Sequence, residues 1–467
     1  MKNIILNEWK KKYRSTTFFY LNVFFILSLL IVVYLGIIQN NNQEKYRKIV
    51  QEEVRDQWNN LEPMNPHSAA HYGSYAFKPM NALNSLDGGI NNITGNVIKL
   101  EGHVQNEILY SEASQSQSIS KFGKLKSSLL LQFVIPLIII FLAYDSIVNE
   151  KKSGRIKLLF LEGISIRKLI FSKAISVWLY GVVLLLLTII FQTLNFVDFE
   201  TAKRIVFLIF TYSIYYYIIS VLVTYLSATM KNNTSVLSLI ISIWIVWTIF
   251  TPKLWGNTVE KIHSLPSRQE FKANMKEERS KGIDGHNPYD VRREKLKNKF
   301  LNQYNVDSLS QLPINFDGIV MQADEEYGNQ IWDKYFGNNY KIMQNQKKLF
   351  QLLGLVNPFS SLQSLSMGFA GTDMIHHFDF LKSSENYRRY FIKELNDKHA
   401  YGGSKTGDWK WTVDSLYFRS VDTFEYKSAN ILDKINYYYI DLFFLLGWFC
   451  FVNVIVSIYQ GRENNGW

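Results

Sequence analysis

The sequence predicts an all-α integral membrane protein with six transmembrane helices and two mainly helical extracytoplasmic insertions. Apolar residues make up 47% of the 467, and they are gathered into runs rather than spread along the chain. Six of those runs reach the roughly 20 residues needed to cross a bilayer. Basic residues crowd the short connections on one side of them, as cytoplasmic loops do. The formal charge of +11 therefore reads as topology, since Lys2, Lys10, Lys11, Lys12 and Arg14 all precede the first run. No nucleic-acid partner is needed to account for it. The single cysteine, Cys450, sits inside an apolar run. The insertions must then fold without internal disulfides, and a thiolate metal site is excluded.

In chain order, residues 1–15 form a basic amphipathic lead at the inner interface. Residues 16–38 are the first span, uncleaved, because no small-residue cleavage site follows them. Residues 39–126 make the first insertion. It opens on a helix with Tyr46, Val50, Val54 and Trp58 on one stripe, then turns irregular after Pro63. Within it, 111–120 is rich in Ser and Gln and reads as loop or polar helix. Residues 127–148 are the second span, with Pro136 inside it as a candidate kink. A basic loop at 149–168 leads to the third span (169–191), and a short outer turn to the fourth (205–228). The fifth is 235–255, with Trp244, Trp247 and Trp255 placed as interface anchors. Residues 256–434 form the second insertion, helical at 289–304, 316–353 and 373–399, with short strands or an extended cover at 409–427. The sixth span is 435–459, and a tail at 460–467 ends inside, as does the N-terminus.

The loop carries the densest signal. Residues 150–173 hold seven Lys/Arg against two Glu, with Ile156, Leu159 and Phe160 at helical spacing. Gly163 suits the left-handed position that ends a helix, and Ser165 suits the N-cap of the next. The expected form is a short amphipathic helix, a tight turn and the basic start of a span. This layout resembles the E(R/K)xxGTLxxLLxxPISRxxLxxGK pattern of type-2 ABC exporter permeases, with Arg155 where that family usually carries Thr. The resemblance implies that Glu150, Lys151, Gly154, Arg155, Leu158, Leu159, Glu162, Ile164 and Arg167 touch a partner ATPase.

Further motifs resemble a group of bacterial ABC permeases with two large periplasmic insertions. They are Pro66-His67-Ser68-Ala69-Ala70-His71-Tyr72-Gly73, Leu100-Glu101-Gly102-His103, Leu265-Pro266-Ser267-Arg268 and Ala370-Gly371-Thr372-Asp373. That implies a multi-pass subunit of the bacterial inner membrane, with a second permease copy or paralogue and a periplasmic or outer-membrane protein as partners. Neither a Gly-x-x-x-x-Gly-Lys-Ser/Thr loop nor a Leu-Ser-Gly-Gly signature occurs, so ATP and magnesium belong to the partner subunit and no catalytic residue is expected here.

Three of the eight histidines lie in the first insertion. His67 and His71, four apart on a helix, point the same way and can ligate one divalent metal, with His103, Asp87 or Glu101 completing the set. Lacking thiolates, zinc or copper is the natural choice. Hydrogen bonding within a turn-rich fold is the plainer reading. His376 and His377, adjacent on a helix, diverge too far to ligate jointly. In the fourth span, Tyr212, Tyr216 and Ser220 present hydroxyls that need either a neighbouring helix or a polar pathway. Asp145, Lys173 and Asp441 lie near span ends, where snorkelling to the interface is expected. Two other functions stay open: a membrane-anchored metalloenzyme using His67, His71 and His103, and a non-transporting scaffold doing mechanical work.

Overall fold

The structure, a computed structural model, describes residues 2–107, 125–193, 198–287 and 289–459. The Ser/Gln-rich stretch 111–120 and the tail from 460 lie outside them. Among the described residues, six helices are long and apolar enough to cross a membrane: Phe18–Asn59, Ser127–Lys152, Ile166–Gln192, Phe199–Thr229, Asn233–Ile262 and Tyr439–Ile458. They form one bundle with the fourth at its centre, where Tyr212, Tyr215, Tyr216, Ile218 and Val223 are fully buried. The first helix runs unbroken from Thr16 to Asn59, so the first span and the outer helix expected after it are one element. The lead helix Lys2–Tyr13 does more than lie at an interface. Trp9 Nε1 donates to the Ser176 carbonyl at 3.1 Å, and Glu8 pairs with Lys173 at 2.8 Å.

The kink at Pro136 takes the form of a π-helical turn over Leu130–Val134, immediately before the proline. A wide turn relieves the clash between the ring and the preceding carbonyls. The displaced Leu131 carbonyl accepts from the Tyr216 hydroxyl at 2.8 Å. The second span breaks again after Ala143 and resumes at Val148. There, the Ser227 hydroxyl of the fourth span accepts from the N–H groups of Ile147 (3.0 Å) and Val148 (3.2 Å). One side chain thus serves two backbone donors that the interrupted helix cannot.

Residues 256–434, expected as one outer insertion, include a stretch that packs against the spans. The helix Phe316–Gln351 ends in a turn at 352–357, and the chain returns through a second helix, Pro358–Ala370. This hairpin packs between the spans. Trp448, midway along the sixth, donates to the Gly354 carbonyl at 3.0 Å. Asn357 Nδ2 donates to the Trp247 carbonyl of the fifth at 2.8 Å, and Phe359 meets Phe133 of the second at 5.1 Å between centroids. Trp247 is buried against Trp448, and half-buried Trp255 donates from Nε1 to the Leu349 carbonyl, so both brace the hairpin.

Outside the bundle the two insertions share a core. Trp58, Ala69 and Ala70 of the first pack with Phe391, Ile392, Leu395, Val413 and Phe418 of the second. The Trp58 indole donates to the Phe418 carbonyl at 2.8 Å. The helix Arg268–Arg279 was not expected; Ser267 caps it through the Glu270 N–H. The irregular part of the first insertion contains one antiparallel pair, β1 (Ser74–Phe77) and β2 (Val97–Leu100), with Ser74 opposite Leu100. Residues 409–427 supply an extended cover and the short helix Ser415–Ser420, with Val413 bridging to Met64.

Candidate functional site

At the basic end of the bundle, Gly154 adopts φ +70° and starts the short helix Arg155–Leu161, and Gly163 at φ +76° turns the chain back. Ser165 then caps the third span through the Lys168 N–H, so the punctuation read from the sequence is present. Ile156 is buried, and Leu159 and Phe160 pack on the bundle core. The loop is braced from beneath. Glu150 accepts from Arg155 Nε at 2.9 Å and from Lys173 Nζ at 3.3 Å, and Lys173 also reaches Glu8. Lys151 donates to the Ala228 carbonyl, and Arg167 to the Tyr459 carbonyl at 3.0 Å. Of the nine residues singled out, Glu150, Lys151, Leu159 and Ile164 face inward or sit half-buried, while Gly154, Arg155, Leu158, Glu162 and Arg167 are exposed. Leu161, not singled out, is the most open at 84%, with Leu158 at 61% beside it.

The three hydroxyls singled out on the fourth span are bonded inside the bundle, whereas Tyr215 Oη, buried beside them, has no hydrogen-bond partner among the described residues. Tyr212 Oη lies 2.7 Å from Ser366 Oγ of the hairpin and accepts from Gln132 Nε2 at 3.0 Å. Tyr216 serves the π-turn, and Ser220 donates to the Tyr216 carbonyl of its own helix at 2.7 Å. Two of the three charges near span ends are buried among protein partners, and the third, Asp145, is half-buried. Lys173 is 2% exposed within its carboxylate pair, and buried Asp441 accepts from Gln351 (2.6 Å) and Ser364 (2.8 Å). Asp145 accepts from Asn149 at 2.7 Å.

Among the insertions the structure brings His67, His71 and His103 together and adds His286, which no spacing had indicated. One ring nitrogen from each of the four lies within 4.8 Å of the other three. The helix Pro66–Tyr72, capped by Asn65, stacks His67 and His71 one turn apart. His103 stands at φ +61°, a strained position for a residue with a side chain. Its N–H donates to Glu325, and its Nδ1 lies 2.8 Å from Asp324 Oδ2. Glu325 is held in turn by Arg388 at 3.1 Å. Burial, with His103 and His71 nearby, lowers the pKa of His67 to about 3; the same causes in milder form lower those of His71 and His286. The imidazoles of these three are thus held neutral, the form that binds metal.

The expected carboxylates do not join this group. Asp87 sits at the mouth of the bundle, where it accepts from Ser366 Oγ at 2.5 Å and burial pushes its pKa up. Glu101 stays beside the cluster, paired with Lys99 and accepting from Asn106. His376 and His377 part as expected: the former meets Asp373 at 2.7 Å, and the pKa of the latter is lowered to about 3 by burial and then by Lys78.

Residues 65–285 match a family model described as ABC-2 family transporter protein, and residues 268–427 match one described as a domain of unknown function, DUF3526. The match supports an ABC-2 type permease. No curated protein and no solved structure matches the chain. A permease of this kind is a multi-pass membrane component of transport, which agrees with the six long apolar helices among the described residues. The ABC-2 match takes in the second to fifth spans, the short helix Arg155–Leu161 and three of the clustered histidines; the fourth, His286, falls in the other matched region.

Proposed function

We propose that this permease is the membrane subunit of an exporter whose energy comes from a separate ATPase docked on residues 150–167 at the cytoplasmic face. The observation that carries this reading is the exposed Leu158–Leu161 edge on a helix braced by Glu150, Lys173 and Glu8. An apolar edge with Arg155 and Lys157 beside it suits a protein cleft. The bracing passes a push on that helix into the second and third spans rather than dissipating it in a loose loop. Both termini then lie in the cytoplasm of a bacterial inner membrane and the insertions outside it. Two such subunits, each with an ATPase carrying ATP and magnesium, would enclose the pathway. The first, fifth and sixth spans leave most of their apolar surface free for lipid or that second copy.

The test is a mild-detergent pull-down of the full-length protein with mass spectrometry. A stoichiometric P-loop ATPase is expected, and Leu158→Asp with Leu161→Asp should lose it without a change in thermal midpoint. Retention by the double variant would overturn the docking site, and absence of any ATPase would overturn the reading. An outer-membrane or periplasmic protein captured together with the ATPase would favour mechanical work on that partner over transport.

A further inference from the structure

We propose that His67, His71, His103 and His286 bind one zinc ion in a tetrahedral site that clasps the two insertions together. This goes beyond the transport reading and does not rest on it. The geometry is specific. The six ring-centroid separations are 4.8 Å (His67–His71), 5.3 Å (His67–His103), 5.3 Å (His67–His286), 5.2 Å (His71–His103), 5.6 Å (His71–His286) and 4.8 Å (His103–His286). Four points whose mutual separations are all nearly equal form a tetrahedron. A square would make two of them about 1.4 times the others, as copper(II) or nickel(II) would favour. Zn–N bonds of about 2.0–2.1 Å place imidazole centroids about 5 Å apart in a tetrahedral complex.

The nitrogens are turned the right way. His67 Nε2 and His71 Nε2 are 3.2 Å apart, close to the edge of about 3.3 Å that such bonds imply. His67 Nδ1 lies 3.4 Å from the side-chain oxygen Oδ1 of Asn396, an acceptor for an Nδ1 proton in the tautomer that leaves Nε2 free to ligate. His103 Nδ1 lies 2.8 Å from Asp324 Oδ2, and both of its ring nitrogens are buried with no hydrogen bond among the described residues, free to turn one of them to an ion. Carboxylate behind imidazole is the usual outer support of a ligating histidine. The cluster is not sealed, because His71 and His286 are exposed and give the ion a way in.

His286 comes from the loop before Arg292–Tyr304, which Gly285 seats against Met321 and Asp324 with no room for a side chain. The other three ligands belong to the first insertion. Four protein ligands fill a tetrahedral ion, the closed arrangement of structural zinc, whereas catalytic zinc keeps a position open. The donor count therefore favours a clasp over a metalloenzyme.

Purified full-length protein, equilibrated with zinc and then desalted, is analysed for metal by mass spectrometry. About one zinc per chain is expected, as structural sites bind tightly. His286→Ala, in an exposed loop, should lose most of it, and His263→Ala should keep it. Asp324→Asn should weaken zinc binding about 10- to 100-fold. Cobalt substitution should give the intense visible bands of a four-coordinate ion. Substoichiometric zinc, undiminished zinc in His286→Ala or a weak octahedral cobalt spectrum would each overturn the proposal. Chelation should also speed proteolysis within 280–291, and an unchanged digest would overturn the clasp. ATPase capture by His286→Ala should stay as in the parent protein, so the two readings fail separately.

Discussion

Ser227 shows how much one hydroxyl can carry. It serves two buried amides at the break in the second span, beyond the reach of the interrupted helix's own carbonyls. Ser227→Ala should therefore cost about 1–3 kcal/mol, the penalty for orphaned buried donors, read as a lower thermal midpoint in detergent. An unchanged midpoint would mean that the break relaxes by itself. Glu150→Gln should cost about 3 kcal/mol, because Lys173 keeps only Glu8 as a counter-charge. A shift no larger than that of Glu162→Gln, an exposed residue of the same loop, would refute this. At this scale the sequence is informative where a residue's role is local. Gly154, Gly163 and Ser165 declare a turn because backbone geometry demands those types. His67 and His71 are legible as a pair because a helix stacks residues four apart. His286 was not, because the contact that recruits it depends on how two distant insertions pack. Asp87 looked like a ligand only by proximity in sequence.

Among the elements, the spans were the easiest to read, since lipid requires a long apolar run and little else resembles one. The hairpin at 349–370 escaped notice for the converse reason. Its returning helix carries Ser360, Ser361, Ser364 and Ser366, and so reads as an outer segment. Those hydroxyls are buried against protein, while Leu352, Leu355 and Val356 at the tip are exposed. An exposed apolar tip packed beside the sixth span is expected to meet hydrocarbon or a second copy. With Cys450 replaced by Ser, a cysteine at Leu355 should resist a membrane-impermeant maleimide in intact membranes, whereas one at Tyr289, 90% exposed, should react. Equal labelling would place the hairpin outside the bilayer. The four-residue strands β1 and β2 were likewise too short for alternation to show.

For the molecule as a whole, the bracing at the basic end and the shared core of the insertions mark two rigid regions joined by the spans. Native mass spectrometry of the intact assembly should show two membrane subunits with two ATPases; a single copy of either would contradict the enclosed pathway. The hairpin also has a consequence for biosynthesis. It is too short and too polar at the backbone to enter the bilayer as an independent span. Its turn rests on Trp448 and Phe444 of the sixth span, with Trp448 lying 94 residues beyond the Gly354 that it holds. The centre of the bundle is therefore completed only after the ribosome has made the sixth span. A nascent protein arrested before residue 439 has five spans in the membrane and an open slot where 349–370 belongs.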